Sequence, residues 1–399
     1  MRAHPLRRAR WVAGIAALAL AWPIPGRAQA RPSGDYWSFF LLPLPTYNGL
    51  EGIGAVLAGG WRRAAPPGPI ATGISIEPSA VIAASGTRGA QLLFDEQGLW
   101  HGWRLLVIAG SLREQRAPYF GLGNRSAVAD SLTDAYGRRY ATYSLLRTTG
   151  LVAVRRRIAG PLQVLAGAQW RHYRARPHAD RRTRLGDDLA AGVPLDTGST
   201  DGLEVRAGLL FDTRDEEASP TRGVFVEALA ARGLDAGPGK LTYTRYAVGS
   251  RQFIPIGEFA SLGFRQSVEW ADGHLPFYVA DERLTSWRPE DGFGGVTTLR
   301  AHLPGRFSAP NKALLSADVR YRMWDFLLTP TMPVRLWFLA FADVGRLWGE
   351  GEGFAVDHLH PGGGVGTRLQ IGRGSLFGFD LGWSPDAHLD FTTALSLAY

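Results

Sequence analysis

Leu203-Glu-Val-Arg-Ala-Gly-Leu-Leu-Phe-Asp-Thr-Arg214 alternates in twos. Leu203, Val205, Ala207, Leu209 and Phe211 fall on one side of an extended chain, and Glu204, Arg206, Gly208, Asp212 and Arg214 on the other. Successive strand side chains face opposite sides of a sheet, so the stretch has one apolar and one wet face. Segment 259–270 repeats this, with Leu262, Phe264, Val268 and Trp270 against Arg265, Ser267 and Glu269. Segment 315–324 sets Leu315, Val319, Tyr321 and Met323 against Ser316, Asp318, Arg320 and Arg322, and 375–384 sets Phe377, Phe379, Leu381 and Trp383 against Gly378, Asp380 and Gly382.

Alternation alone fits a soluble sandwich, apolar side inward, or a membrane barrel, apolar side towards lipid. Three features favour the barrel. The segments run about ten to twelve residues, the tilted span of a bilayer. Trp61, Trp270, Trp337, Trp348 and Tyr399 fall near segment ends, where interfacial girdles belong. The chain also ends in mid-alternation: Phe391, Thr393, Leu395, Leu397 and Tyr399 share a face. A last strand of this kind pairs with the first and leaves no edge.

The first thirty residues belong to a different category. Arg2, Arg7, Arg8 and Arg10 precede an uncharged run from Trp11 to Trp22 and a small-x-small site at Ala28-Gln29-Ala30. This is the pattern of a cleaved secretory signal, and the run is too short to span a bilayer. We therefore expect a signal peptide over 1–30 and one barrel domain over 31–399. The whole chain carries +8, but Arg2, Arg7, Arg8, Arg10 and Arg27 precede residue 31 and no acid does, leaving +3 after it. That balance makes no case for nucleic acid. With 0 cysteines, no disulfide holds an exported chain together.

Counting segments gives 49–61, 71–86, 88–97, 101–112, 138–148, 149–158, 162–174 and 203–213, then 222–232, 241–254, 258–270, 313–326, 333–346, 361–371, 375–384 and 389–399. The region 138–158 reads either as one strand or as two. Taken as two, it brings the total to sixteen in an all-β, transmembrane antiparallel barrel. Short connections at Ile158-Ala-Gly-Pro161 and Arg373-Gly374 fall on one side, and long ones at 175–202, 271–312 and 347–360 on the other.

Several stretches resemble the BamA/TamA-type outer-membrane assembly barrels, also called the bacterial surface antigen family. They are Asp212-Thr-Arg214-Asp215 with Pro220-Thr-Arg-Gly223, Gly294-Gly295 leading to Leu299-Arg300, Phe341-Ala-Asp343-Val-Gly345, and the terminal strand with Phe391, Leu395, Leu397 and Tyr399. Pro43-Leu-Pro45-Thr-Tyr-Asn48 and Tyr119-Phe-Gly-Leu-Gly-Asn124 also look like stretches of short members. Taken alone, Asp212–Gly223 fits an ordinary hairpin, with Pro220 fixing φ and Gly223 permitting an unusual backbone.

The resemblance implies that the long connection holding Arg300 folds into the lumen, and that Arg300 pairs with Asp343. It also implies a role in insertion or passage of clients, by way of a weak seam between first and last strands. The chain departs from the family at Arg300-Ala301-His302, where the pattern is Arg-Gly-aromatic. A backbone needing positive φ would be strained at Ala301. Family members also carry periplasmic POTRA domains; a first strand near residue 49 leaves no room for one, so a bare barrel is expected.

No hydrolase, metalloprotease, phosphate-loop or calcium-loop signature appears, so we expect no enzyme, cofactor or metal. Ser267 and His274 are hydrolytic candidates by residue type only, and His358 and His360 have no third ligand in view. The basic run Arg171–Arg184 reads as an outer loop, either solvated or set against lipopolysaccharide phosphates. The expected partners are outer-membrane lipid, lipopolysaccharide and a periplasmic protein. A porin-like or anchoring barrel is the alternative function, and a barrel-borne lipid hydrolase the remaining one.

Overall fold

The computed structural model describes residues 37–395, apart from 49, 65–71, 100–101, 127–131, 133–134, 236–241, 288–289, 330–331, 350–351, 372–374 and 386–389. The expected signal peptide, Leu397 and Tyr399 lie outside the described residues.

The strands are β1 (Trp37–Asn48), β2 (Gly52–Ala64), β3 (Thr72–Ala83), β4 (Arg88–Leu99), β5 (Trp103–Pro118), β6 (Thr142–Ala159), β7 (Leu162–Arg176), β8 (Gly198–Asp212) and β9 (Gly223–Asp235). They continue as β10 (Tyr243–Pro255), β11 (Ala260–Gly273), β12 (Glu282–Arg283), β13 (Glu290–Asp291), β14 (Asn311–Thr329), β15 (Met332–Trp348), β16 (His360–Ile371), β17 (Ser375–Trp383) and β18 (Asp390–Leu395). All but β12 and β13 form one 16-stranded sheet in chain order, each strand beside its sequence neighbours. Strands β1 and β18 lie next to each other at its two ends. No helix among the described residues is long and apolar enough to cross a membrane.

The total matches the expected one, but the set does not. The region 138–158 is a single strand: Gly150 pairs with Ala109 on one side and Trp170 on the other, so the ladder runs straight through it. The sheet also begins at Trp37 rather than near residue 49, because 37–48 pairs along its whole length with β2. Pro43 and Pro45 lie within that strand, where proline is tolerated if the missing N–H faces no ladder partner. Both changes move the long connection 119–141 to the same end as 177–197, 274–310 and 349–359. Connections 160–161 and 256–259, and both ends of the sheet, lie at the opposite, periplasmic-type end.

Burial settles which face is outside. Val205 and Leu209 are 39% and 53% exposed on β8, while Glu204 and Arg206 between them are 0% and 6%. Leu315, Val319 and Tyr321 are exposed on β14, and Ser316, Asp318 and Arg320 are buried. A water-soluble fold would invert this, since charges are driven towards water. Phe377 is an exception to the expected outward set, being buried. Trp61 and Trp270 are exposed, but Trp337 and Trp348 are buried and contribute nothing to an outer girdle.

The interior is held by ion pairs where a soluble protein has hydrocarbon. Arg104 meets Asp95 at 2.6 Å, Arg171 meets Glu204 at 2.9 Å, and Arg368 meets Asp380 at 2.6 Å. Buried charges of this kind persist because each is paired and hydrogen-bonded. The outer end is closed by an aromatic cluster. Tyr119, Tyr143, Tyr173 and Tyr243 pack with Phe277 and Tyr278, and with Leu185 of the short helix α1 (Arg184–Ala190).

Candidate functional site

Residues 274–310 leave β11 and fold against the inner wall. A helical turn, Phe277–Ala280, precedes the two-residue hairpin of β12 and β13. Lys312, at the start of β14, donates to the carbonyls of Ala280 at 2.6 Å and Glu282 at 3.1 Å. On the wall, Arg104 lies 3.9 Å from the Trp287 ring. The tip is tied to itself: Gly295 N–H donates to His302 O at 2.9 Å, and Thr298 Oγ accepts from Gly294 N–H at 3.0 Å. Gly294 and Gly295 have φ of 111° and 86°, a region open to glycine and costly for other residues.

Arg300 at this tip is 3% exposed. Its Nε donates to Asp343 Oδ2 at 2.9 Å and its Nη2 to Asp343 Oδ1 at 2.6 Å. The backbone N–H of Arg300 reaches Asp343 Oδ2 at 2.9 Å, and Nη2 also reaches Ser316 Oγ at 2.9 Å. Asp318 Oδ2 lies 3.5 Å from Nη1, and the guanidinium sits 4.1 Å above the Phe341 ring. A bidentate carboxylate below and an aromatic face beside it are what a planar cation needs out of water.

Phe341, Asp343 and Gly345 alternate on the inner face of β15 and serve three different purposes. Phe341 gives a ring and Asp343 a charge, while Gly345 leaves space: a Cβ there would stand 2.9 Å from Leu299. Ala301 is buried, and its φ is not in the positive range. The expected strain at Ala301 is therefore absent; Gly294 and Gly295 take the unusual backbone. Glycines on the wall make room for Ala301. A Cβ on Gly362 would come within 2.7 Å of Ala301 Cβ, and one on Gly382 within 2.5 Å of Ala301 Cα. His302 Nε2 donates to Pro361 O, 3.2 Å away, and the His302 ring packs edge-on against Phe307.

The stretch Tyr119–Asn124 clasps the same loop. Gly123 N–H donates to Ser308 O at 2.8 Å, and Asn124 Oδ1 accepts from Leu347 N–H at 2.9 Å.

At the opposite end, 213–222 forms a turn ordered by Asp212 and Asp215. Arg214 folds back on Asp212 through two hydrogen bonds of 2.9 Å. Asp215 Oδ1 accepts from the backbone N–H of Glu216, Thr221 and Arg222 at 2.9 to 3.2 Å. Pro220 is buried where the chain returns to β9. Gly223 has φ 105°, and a Cβ there would stand 2.8 Å from Arg214 Cα. The turn reaches into the lumen. Glu217 meets Arg104 at 3.0 Å and Arg155 at 3.2 Å, while Glu216 meets Arg335 at 2.8 Å and Gln370 at 3.0 Å. Burial opposes ionisation of Glu217, but Arg104, Arg155 and Arg214 outweigh it and hold its carboxyl down at about 2. Sequence reading missed Glu216, Glu217, Trp287 and Lys312. The signal available was an acidic pair directly after Asp215, with arginines of inward parity on the facing strands.

The remaining candidates scatter. Ser267 accepts from Arg283 at 2.9 Å, and His274 pairs with Asp196 at 2.8 Å, so each has another partner. His358 meets Asp357 at 3.0 Å, and His360 meets Asn124 at 3.0 Å. Arg171 lies on β7 facing inward, so the basic run is not one outer loop; Arg174 and Arg176 point outward and Arg182 is exposed beyond the strand. Phe391 and Leu395 lie on β18 opposite Leu381 and Phe377.

Fold and site together define a transmembrane β-barrel whose long outer connection is pinned inside by an arginine. Residues 117–384 match the Omp85 superfamily domain, and the chain belongs to that superfamily of outer-membrane barrels. BamA from Haemophilus ducreyi lacking POTRA domains 1–3 is similar in structure, with TM-score 0.55 and 11% identity over 91% of this chain and 70% of that one. CdiB from Acinetobacter baumannii gives TM-score 0.51 and 12% identity over 93% of this chain and 61% of that one. CdiB from Escherichia coli gives 0.50 and 11%, over 90% and 67%. The chain thus spans roughly two thirds of the length of these proteins. No curated protein sequence matches it.

Proposed function

We propose that the protein assists the insertion or passage of protein clients at the bacterial outer membrane. The observation that carries this reading is the tip of 274–310, with Arg300 seated on Asp343, Ser316 and Phe341 in a chain of this superfamily. A loop so placed braces β14 and β15 from within. Pro43 and Pro45 have no N–H, and prolines in a sheet turn the missing donor away from the ladder. On β1, paired along its length with β2, the two missing donors fall on the β18 side. Two positions without a donor on that edge of β1 suit a site where a client strand adds to the sheet. Outer-membrane lipid and lipopolysaccharide are its surroundings, and a periplasmic protein supplies the client.

The test is a folding assay in liposomes. An unfolded outer-membrane barrel is added to vesicles holding the protein, to empty vesicles, and to vesicles holding Arg300→Ala. Acceleration that the substitution removes supports the reading. A folded wild-type barrel that gives no acceleration refutes autonomous insertion and favours a pore or an anchor.

A further inference from the structure

Ion pairs across the lumen join into one network. Arg171, Arg206, Arg245, Arg251, Arg283 and Lys312 share Glu204, Glu227, Glu269, Glu282 and Glu290, so six cations face five carboxylates. Arg265 stands beside this network and adds a further positive charge. It is directly opposite Arg251 on the neighbouring strand, and on its other side opposite Ser316. Among the described residues it makes no ion pair and no hydrogen bond. Like charges directly across a strand pair repel, and Arg265, half-buried on the lumenal wall, has no carboxylate within ion-pair distance among the described residues. Arg251 has only loose ion pairs of its own, with Glu290 at 3.5 Å and Glu227 at 3.9 Å. Glu290 is held closer by Arg283, at 2.8 Å.

Space for a counter-charge is present. Arg251 and Arg265 both line a lumenal cavity of about 530 Å³, together with three further arginines and six carboxylates, Glu227 and Glu290 among them. Arg251 and Arg265 also line a second void of about 30 Å³ together with Arg300 and Arg320, both of which pair with Asp318 there. The larger cavity is in the range of small-molecule sites. Two neighbouring guanidiniums present N–H forks that match the oxygens of a tetrahedral oxyanion, a geometry a spherical halide does not use.

We propose that Arg265 and Arg251 form an oxyanion-binding site on the lumenal wall, taking phosphate or the phosphate group of a small solute. The site lies on β10 and β11, away from the Arg300–Asp343 contact, and does not depend on client insertion.

The probe is inorganic phosphate, titrated at constant ionic strength against chloride, with thermal unfolding of the full chain in detergent as the readout. Wild type is expected to show a saturable rise in Tm, as a ligand bound only by the folded state requires. Arg265→Gln is expected to lose that rise, while its Tm in chloride stays at or above the wild-type value because no partner is stranded. Arg174→Gln, an outward-facing control, keeps the rise. A wild type without saturation, or an Arg265→Gln protein with the same saturable rise, overturns the proposal. Should Arg265→Gln not fold, Arg265→Lys decides by the same titration: a weakened rise supports the fork, and an unchanged one overturns it.

Discussion

Replacing Arg300 by alanine is the sharpest perturbation of the lumenal loop. Truncation removes two hydrogen bonds to Asp343, one to Ser316, the approach to Asp318 and the stack on Phe341. Asp343 keeps the Ser316 hydroxyl at 2.5 Å and the backbone N–H of residue 300, so it is not wholly stranded. Breaking a buried pair by removing one partner costs about 3–5 kcal/mol, and the retained donors place this case near the lower figure. At 1.4 kcal/mol per decade, about 3 kcal/mol is roughly a hundredfold shift of the loop towards release. The chain has 0 cysteines, so one introduced at Ser308, which is 4% exposed, reports on the loop alone. Maleimide labelling of Ser308→Cys in the folded protein should accelerate roughly a hundredfold when Arg300→Ala is added. Heat-modifiable migration on a gel confirms that the barrel itself stays folded. Equal labelling rates with and without Arg300 would refute the reasoning, since the pair would then contribute nothing to holding the loop.

Further outcomes follow from the same contacts. Gly382→Ala should release the loop more than Gly345→Ala, because the new methyl meets Ala301 backbone at 2.5 Å in the first case and movable Leu299 methyls at 2.9 Å in the second; the same labelling assay ranks them. Gly223→Ala should destabilise the barrel by about 1–3 kcal/mol in urea titrations, since φ 105° suits glycine alone. Glu217→Gln leaves Arg104 and Arg155 short of a carboxylate and should lower Tm at pH 7. With its folded pKa near 2 against 4.5 unfolded, Glu217 stabilises above pH 4.5, and the difference between wild type and variant should vanish as pH falls from there towards 2. Asp281, in the long connection, runs the other way: burial pushes its carboxyl up to about 7. The folded state then holds a proton that the unfolded state has lost, so stability falls as pH rises from about 4 to 7. Asp281→Asn should remove that slope in Tm against pH.

Much of the site was legible because its residues carry unusual demands. Arg300 in a long connection and Asp343 on an inward parity position each required a partner, and the resemblance joined them. The wall glycines Gly362 and Gly382 could not be matched to Ala301 in advance, since a glycine's purpose depends on what approaches it. The misplaced strands had a visible warning. Splitting 138–158 put the long connection 113–137 on the tight-turn side, against the asymmetry that the other loops obeyed. Reading β6 through Gly150, and β1 through Pro43 and Pro45, restores it.

By itself, the sequence determined the strand period, the sixteen-strand scale and the choice of a barrel over a helical membrane protein. Those follow from local alternation, which backbone geometry turns directly into two faces. The features that favoured a barrel already turned the apolar face outward; only the tertiary structure decided that Glu216 and Glu217 bridge to opposite walls, and that Arg265 lies opposite Arg251. Each depends on which inner faces meet across the lumen. That is set by register and by the fold of long connections, and neither is encoded in the spacing of neighbouring residues.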